Sequence, residues 1–319
     1  MTAARDPRLV LAVLGALALG SAALFMTWGV NGAWGFALPF RAAKLATMLL
    51  VAHAVAVSTV LFQTATGNRI LTPAVMGFDQ LYVLVQTVLV FALGASAFAG
   101  LDRRLLFAGE VAAMIAFSFL LHAALFGGAR RSLHLLVLGG VVLGVLFRSL
   151  AGFLQRIIDP NEFAFLQDRF FASFNSPHHG LLAIAAAMAL AASLLGWRAL
   201  RRWDVLSLGR EVSITLGLDH RREVTRILVM VAMLVSVSTA LVGPVTFLGL
   251  LVANLAHAVM PSFRHAHLLP AAFLLAVICL AGGQAVLEHG FGFDTSLRVI
   301  IDFLGGILFI ALLVRGKVR

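Results

Sequence analysis

Ten histidines, one cysteine and fourteen carboxylates are the side chains of this sequence that could ligate a metal or move a proton. Their placement argues against both. A metal centre needs three or four ligands converging at bonding distance. His178-His179 and His265-Ala-His267 fall in polar intervals read as loops, neither beside a carboxylate cluster, while His53, His122, His134 and His257 fall singly in or near apolar stretches. Cys279 stands alone in an apolar run, so there is no disulfide framework and the thiol is expected to pack in a core. A proton relay through a membrane needs carboxylates near the midplane. Asp79 and Asp302 are the acidic candidates, and both fall near the ends of apolar runs. Arg298 and Asp302 are four apart and can pair on one helix face. No G-x-x-x-x-G-K-S/T loop, H-E-x-x-H pair or nucleophile elbow occurs. The sequence therefore predicts no catalytic residue, no metal ligand and no cofactor-binding residue in this chain.

The charges that do cluster are arginines. Between Trp197 and Arg226 lie seven of them, at 198, 201, 202, 210, 221, 222 and 226. Within that interval Leu208, Val212 and Leu216 recur at i, i+4 and i+8, which predicts a short helix over Leu206–Gly217. Asp204 to Ser207 offer N-cap groups, and Gly217 is placed to stop the helix. A short helix in a basic loop between membrane spans is suited to touching a protein; a loop that only sets orientation would carry the same charge.

These residues sit in a chain that has little surface for water. Its 319 residues are 61% apolar and 12% charged, its mean hydropathy is +1.01, and soluble domains carry about 25% charged residues. The net charge of +10 falls in short loops rather than on a basic face interleaved with aromatics, which speaks for membrane topology over nucleic acid. Arg5 and Arg8 precede an apolar run that resembles a signal peptide, yet the run is long enough to span and no small-residue cleavage site follows.

Apolar runs fall at about 9–29, 45–65, 76–97, 107–126, 133–154, 179–197, 226–243, 245–259, 268–286 and 297–314. The expectation is one all-α membrane domain over 1–319 with about ten spans and a cytoplasmic loop at 198–226. The break at Gly243-Pro244 decides the count: a single kinked helix there would leave nine spans and termini on opposite sides. With ten spans and both termini inside, 16 of the 24 lysines and arginines are cytoplasmic, as the positive-inside rule favours. The longest outer loop then runs from Ile157 to His178. Gly140-x-x-x-Gly144 lets two backbones approach closely. With Arg148 near the outer end of the same span, these residues are the pathway candidates.

Several blocks resemble the iron-chelate uptake permeases, membrane subunits of ABC importers related to the cobalamin importer permease. LSLGREVSITLGLD (206–219) resembles that family's coupling segment, and LVGPVTFLGLLVANLAH (241–257) is similar to its G-P-x-x-F-x-G-L block. FRAAKLATMLLVAHAVAVSTVLFQTATGNRILTPAVMG (40–77) carries the spacing Gln63, Asn68, Pro73, Gly77, and IIDFLGGILFIALLVRGK resembles the terminal block. Ala253-Asn254 stand where Pro-His is usual, His257 replaces an arginine, Arg69-Ile70 replace Pro-Leu, and Ile307 replaces a proline. Together with FLQRIIDPNEFAFLQDRFFASFN (153–175), these departures resemble a branch associated with catecholate-type and mixed siderophores.

The resemblance implies a type II ABC importer permease that carries ferric siderophore across the inner membrane of a bacterium and is not itself an enzyme. It implies a sister permease in a heterodimer, two cytoplasmic ATPases that bind the ATP and Mg, and an extracytoplasmic binding protein. By the same resemblance Leu208, Gly209, Glu211, Val212, Leu216 and Gly217 form the ATPase coupling surface. Arg41, Lys44 and Arg298 dock the binding protein, and Gly243, Pro244 and Gly249 form a helix break and gate. Two other readings stay open: cobalamin or haem as cargo of the same architecture, and a proton-coupled carrier working alone.

Overall fold

A computed structural model describes residues 6–30, 32, 34–126, 133–170, 174, 179–290 and 297–314. Every regular element among them is helical. α1 (Pro7–Thr27) begins on Asp6, whose carboxylate accepts from the Arg8 amide at 2.9 Å. α2 (Trp34–Thr66) is longer than its apolar run and continues outward through Pro39, so Arg41 and Lys44 lie inside a helix of 33 residues. At 1.5 Å per residue it is about 50 Å long and runs from one end of the bundle to the other.

After α2 the chain makes a loop and a single 3-10 turn, Pro73–Met76, then enters α3 (Phe78–Leu93) at Gly77, whose φ of +89° only glycine adopts freely. α4 (Ala95–Ala99) leads to α5 (Arg103–Phe126) and α6 (Leu133–Gln155). Gly140 and Gly144 are buried on α6 directly against that turn. A Cβ at Gly140 would lie 2.8 Å from Met76 Cα, and one at Gly144 3.2 Å from Gly77 Cα. The small-residue motif thus serves a close contact inside the chain.

The expected outer loop contains α7 (Pro160–Phe170), which Asp159 starts by accepting from the Asn161 amide. Then come α8 (His179–Trp197), the short α9 (Leu200–Leu206) and α10 (Arg210–Thr215), and α11 (His220–Val242). Gly243, at φ +93°, ends α11, and α12 (Thr246–Val259) starts afresh beyond Pro244. The break leaves two separate helices rather than one kinked one; among the described residues seven helices are long and apolar enough to cross a membrane, and α3 and α12 are shorter apolar ones. α13 (His265–Val277) passes through a π segment, Ile278–Gly282, into α14 (Gly283–Gly290), and α15 (Leu297–Val314) closes the bundle.

α2 and α11 form the centre: two thirds of each apolar window is buried, against about a quarter for α1, α6 and α8. The inner faces are built from small and hydroxyl residues, including Ala52, Ala56, Ser58, Thr59, Ser236 and Ser238, which let helices approach where lipid supplies no hydrophobic drive. Gly249 of α12 seats against the Thr59 side chain, where a Cβ would collide. The outer helices turn Leu, Val and Phe outward, as a bilayer requires. This is a multi-pass membrane protein.

Candidate functional site

The loop of seven arginines forms one end of the bundle. Sequence periodicity predicts a single helix over Leu206–Gly217; the structure has two. Leu206 is the last residue of α9 and is buried, and Gly209, at φ +99°, turns the chain before α10 begins. The expected N-cap from Asp204 to Ser207 does not form. The Ser207 hydroxyl donates to the Asp204 carbonyl at 2.7 Å, and the Asp204 carboxylate accepts from the His265 amide and pairs with His265 Nδ1, both at 2.7 Å. Asp204 thus caps α13 rather than α10. Burial alone raises its carboxyl, but the hydrogen bonds from the His265 side chain and backbone outweigh that and hold it below the usual carboxylate value.

α10 inverts the usual pattern of a surface helix. Leu208, Val212, Ile214 and Leu216 are 59%, 47%, 52% and 61% exposed, while the fully buried residue is Ser213. Its hydroxyl donates to the Arg210 carbonyl and pairs with His220 Nδ1 at 3.1 Å. A polar anchor inside and an apolar stripe outside, ringed by arginines, is the signature of a surface made to be covered. Glu211 is exposed and makes no ion pair among the described residues. Gly217, at φ +81°, ends α10 as the sequence predicts; its amide donates to the Ile214 carbonyl.

The segment is tied firmly to the spans. Trp203 of α9 is buried and meets the His265 ring edge-on at 6.3 Å. Buried Glu223 of α11 accepts from Arg226 at 2.7 Å and from Arg202 at 3.2 Å. The Gln63 amide, at the end of α2, donates to the Arg69 carbonyl at 2.6 Å, and Asn254 donates to the same oxygen at 3.3 Å. α9 is therefore joined to α11 and α13, and the end of α2 is joined to α12 through the Arg69 carbonyl.

The opposite end holds Arg41 and Lys44. The Arg41 guanidinium donates to the carbonyls of Phe25 and Trp28, at 2.9 and 2.7 Å, satisfying the last turn of α1. Lys44 points inward, 5% exposed, and pairs with Glu288 of α14 at 3.1 Å, with Gln284 also donating to that carboxylate at 3.0 Å. A lysine expected on a docking surface is thus committed to an interior ion pair, because α2 extends past it and α14 covers it. The side chain of Arg298 lies outside the described residues. Arg148 is exposed on α6, with no ion-pair partner among the described residues.

Sequence reasoning missed two acids. Glu110 is buried inside α5, where the Gln86 amide donates to its carboxylate at 2.5 Å. Glu288 is buried by Lys44. Asp79, at the start of α3, accepts from the Thr246 hydroxyl at 3.0 Å. Each acid is satisfied locally, and none is placed in a chain of carboxylates. The histidines are likewise dispersed. His53 pairs with Ser193 at 2.7 Å, and His265 and His267 lie in the first turn of α13 rather than in a loop. Among the described residues no three of His, Cys, Asp and Glu converge on a metal-sized site.

Comparison with known proteins agrees with this architecture. The chain is 45% identical over 305 residues, 96% of each chain, to the petrobactin import system permease protein YclO of Bacillus subtilis. It is 34% identical to the petrobactin import system permease protein FatC of Bacillus anthracis, over 87% of this chain and 78% of that one. It is also 26% identical to the hemin transport system permease protein HmuU of Yersinia pestis, over 95% and 90%. A solved structure described as an inward-facing, metal-chelate type ABC transporter superposes with a TM-score of 0.84 at 20% identity, over 97% of this chain and 99% of that one. The model of the FecCD transport family matches residues 8–315, and the chain belongs to that family.

Proposed function

We propose that this chain is the permease subunit of an ABC importer that carries a ferric siderophore of the petrobactin class across the bacterial inner membrane. The observation that carries the reading is the 45% identity to a petrobactin permease over 96% of both chains; identity to the hemin permease is 26%. The chain itself is non-catalytic. ATP and Mg bind to two partner ATPases in the cytoplasm, and an external binding protein delivers the chelate. A sister permease completes the path, which the pathway candidates Gly140, Gly144 and Arg148 adjoin on α6. Both termini and the arginine-rich end face the cytoplasm, as the charge distribution favours.

In this reading the exposed stripe Leu208, Val212, Leu216, with Gly209, Glu211 and Gly217, seats in a cleft of the ATPase. Nucleotide-driven closure moves α9 and α10, and the ties at buried Trp203 and Glu223 and at half-buried Asp204 pass the motion to the spans. Only contacts that differ between the two ATPase states can do this. The break at Gly243-Pro244 and the close seat of Gly249 give α12 a place to hinge. At the outer face, docking of the binding protein falls to Arg41 and Arg298, since Lys44 is occupied by Glu288.

The test is complementation. A strain lacking its own petrobactin permease is given this chain with its sister permease and ATPase, and uptake is followed for ferric petrobactin, a hydroxamate chelate, haem and cobalamin. Uptake of ferric petrobactin is expected. Uptake of haem or cobalamin in its place moves the cargo, and accumulation without the ATPase overturns the importer reading.

A further inference from the structure

Behind Leu208, between the end of α2, α9 and the turn joining α12 to α13, lies a cavity of about 440 Å³. Two residues of its wall, Leu208 and Asp204, belong to the proposed transport cycle, but the space itself has no part in it. Its volume falls in the range of small-molecule sites, about 300–1,000 Å³, and far exceeds what one inserted carboxylate side chain would fill. Its walls are mostly apolar, and the charges set in them are net positive. Arg69 and Arg264 both reach it, both are exposed, and neither has an ion-pair partner among the described residues. His257 lines it as well, and Asp204, the acid in the wall, is engaged by His265. Two guanidinium groups beside one cavity recognise a phosphate, through the fork geometry that lysine lacks.

A second feature narrows the ligand. Gln63 lines the same cavity and is 3% exposed; its amide nitrogen donates to Arg69, but its Oε1 has no hydrogen-bond partner. A buried acceptor of this kind calls for a donor, and the dianion of a simple phosphate monoester brings none. A hydroxyl carried next to the phosphate does. Apolar walls at Leu208 and Leu268, with Phe263 84% exposed beside them, suit a carbon skeleton.

We propose that this cavity binds a phosphate ester that bears a free hydroxyl, of the glycerol phosphate type, held by Arg69 and Arg264 with the hydroxyl donating to Gln63 Oε1. The source is either an anionic lipid headgroup, for which basic pockets at the cytoplasmic surface are suited, or a soluble ester. The ligand would touch Asp204, Ser207 and Leu208, immediately before α10. Its occupancy would then set how firmly the exposed stripe is held, and only that consequence rests on the importer reading.

The test uses the full-length permease in phosphatidylcholine nanodiscs, with thermal unfolding as the readout, because a ligand of the folded state raises the midpoint in proportion to its affinity. Ethyl phosphate, glycerol 3-phosphate and nanodiscs doped with phosphatidylglycerol are compared. Glycerol 3-phosphate or phosphatidylglycerol is expected to raise the midpoint saturably. Stabilisation by phosphatidylglycerol alone assigns the lipid, and stabilisation by both assigns the shared headgroup chemistry. The Arg69→Gln/Arg264→Gln variant should weaken the interaction at least about tenfold, while Arg201→Gln, at an equally exposed arginine of α9, should not. Gln63→Leu should remove the preference for glycerol 3-phosphate over ethyl phosphate. No shift with either ester, or a shift unchanged in the double arginine variant, overturns the site. So does a double variant that loses only ATPase association, which would make the cavity a protein contact.

Discussion

The two ends of the bundle treat charge in opposite ways. At the end formed by Arg41, Lys44 and α14, cations are drawn inward: Lys44 meets Glu288 at 3.1 Å with both side chains 6% exposed, and Arg41 closes the last carbonyls of α1. At the end formed by α9 and α10, most arginines face out, and the apolar residues of α10 face out with them. One end is finished within the chain; the other leaves an apolar stripe uncovered among its arginines. Charge at the first end is a matter of folding, and at the second a matter of association.

The largest effect should come from breaking the closed end. Glu288→Ala leaves Lys44 facing a buried site without its carboxylate, and removing one partner of a buried pair costs about 3–5 kcal/mol. A lowered unfolding midpoint in detergent is expected. The paired change Lys44→Met/Glu288→Leu should recover most of the loss, and equal loss in both variants would show that packing, not charge, holds this end.

Gly217→Val should act differently. It forces a β-branched residue to φ +81°, costing about 1–2 kcal/mol locally. Transport is expected to vanish while the protein still reaches the membrane at normal levels, and normal uptake would remove the coupling role from α10. Arg41→Gln should cost about 1 kcal/mol by unmaking two hydrogen bonds to carbonyls. If Arg41 also docks the binding protein, Arg41→Glu should in addition slow that association, more so at low salt; a salt-independent effect would leave only the capping role.

Val212→Asp and Leu216→Asp, on exposed positions, should change stability by no more than about 0.5 kcal/mol and yet abolish co-purification of the ATPase. The smallest effect concerns Asp204. Its carboxyl is held below the ordinary value in the folded state, so the stabilisation it supplies is present above about pH 4 and is lost as pH falls through the folded value. The stability of the native chain relative to Asp204→Asn should therefore decline on acidification below about pH 4 and be flat above pH 5. A constant difference down to pH 3 would deny Asp204 its carboxylate role.

The all-helical membrane fold was legible because run length is a strong signal in a bilayer, and the break after α11 because Pro244 cannot continue a helix ladder. The end of α10 was legible from Gly217 for a similar reason. The split between α9 and α10 was not, since the i, i+4 spacing runs on through Gly209 and only the backbone turn there interrupts it. Lys44 was misplaced because its partner lies 244 residues away, and nothing local in α2 marks the lysine as buried. Glu110 escaped notice for another reason: one acid in a long apolar run hardly moves the average, and the Gln86 that satisfies it belongs to a different helix.

The π segment at Ile278–Gly282 has a bearing on the closed end. A single turn of wider winding shifts everything after it around the helix axis by the angle of about one residue, near 100°. Gln284 and Glu288 follow within one and a half turns, so their aim at Lys44 is set by this local unwinding. Regular winding of the same residues would swing the carboxylate toward a neighbouring face, whereas deleting one residue along with the wide turn would leave it aimed at Lys44. The ion pair is therefore a gauge of helical phase: the wide turn takes up one residue, and losing the turn without losing the residue would strand the charge.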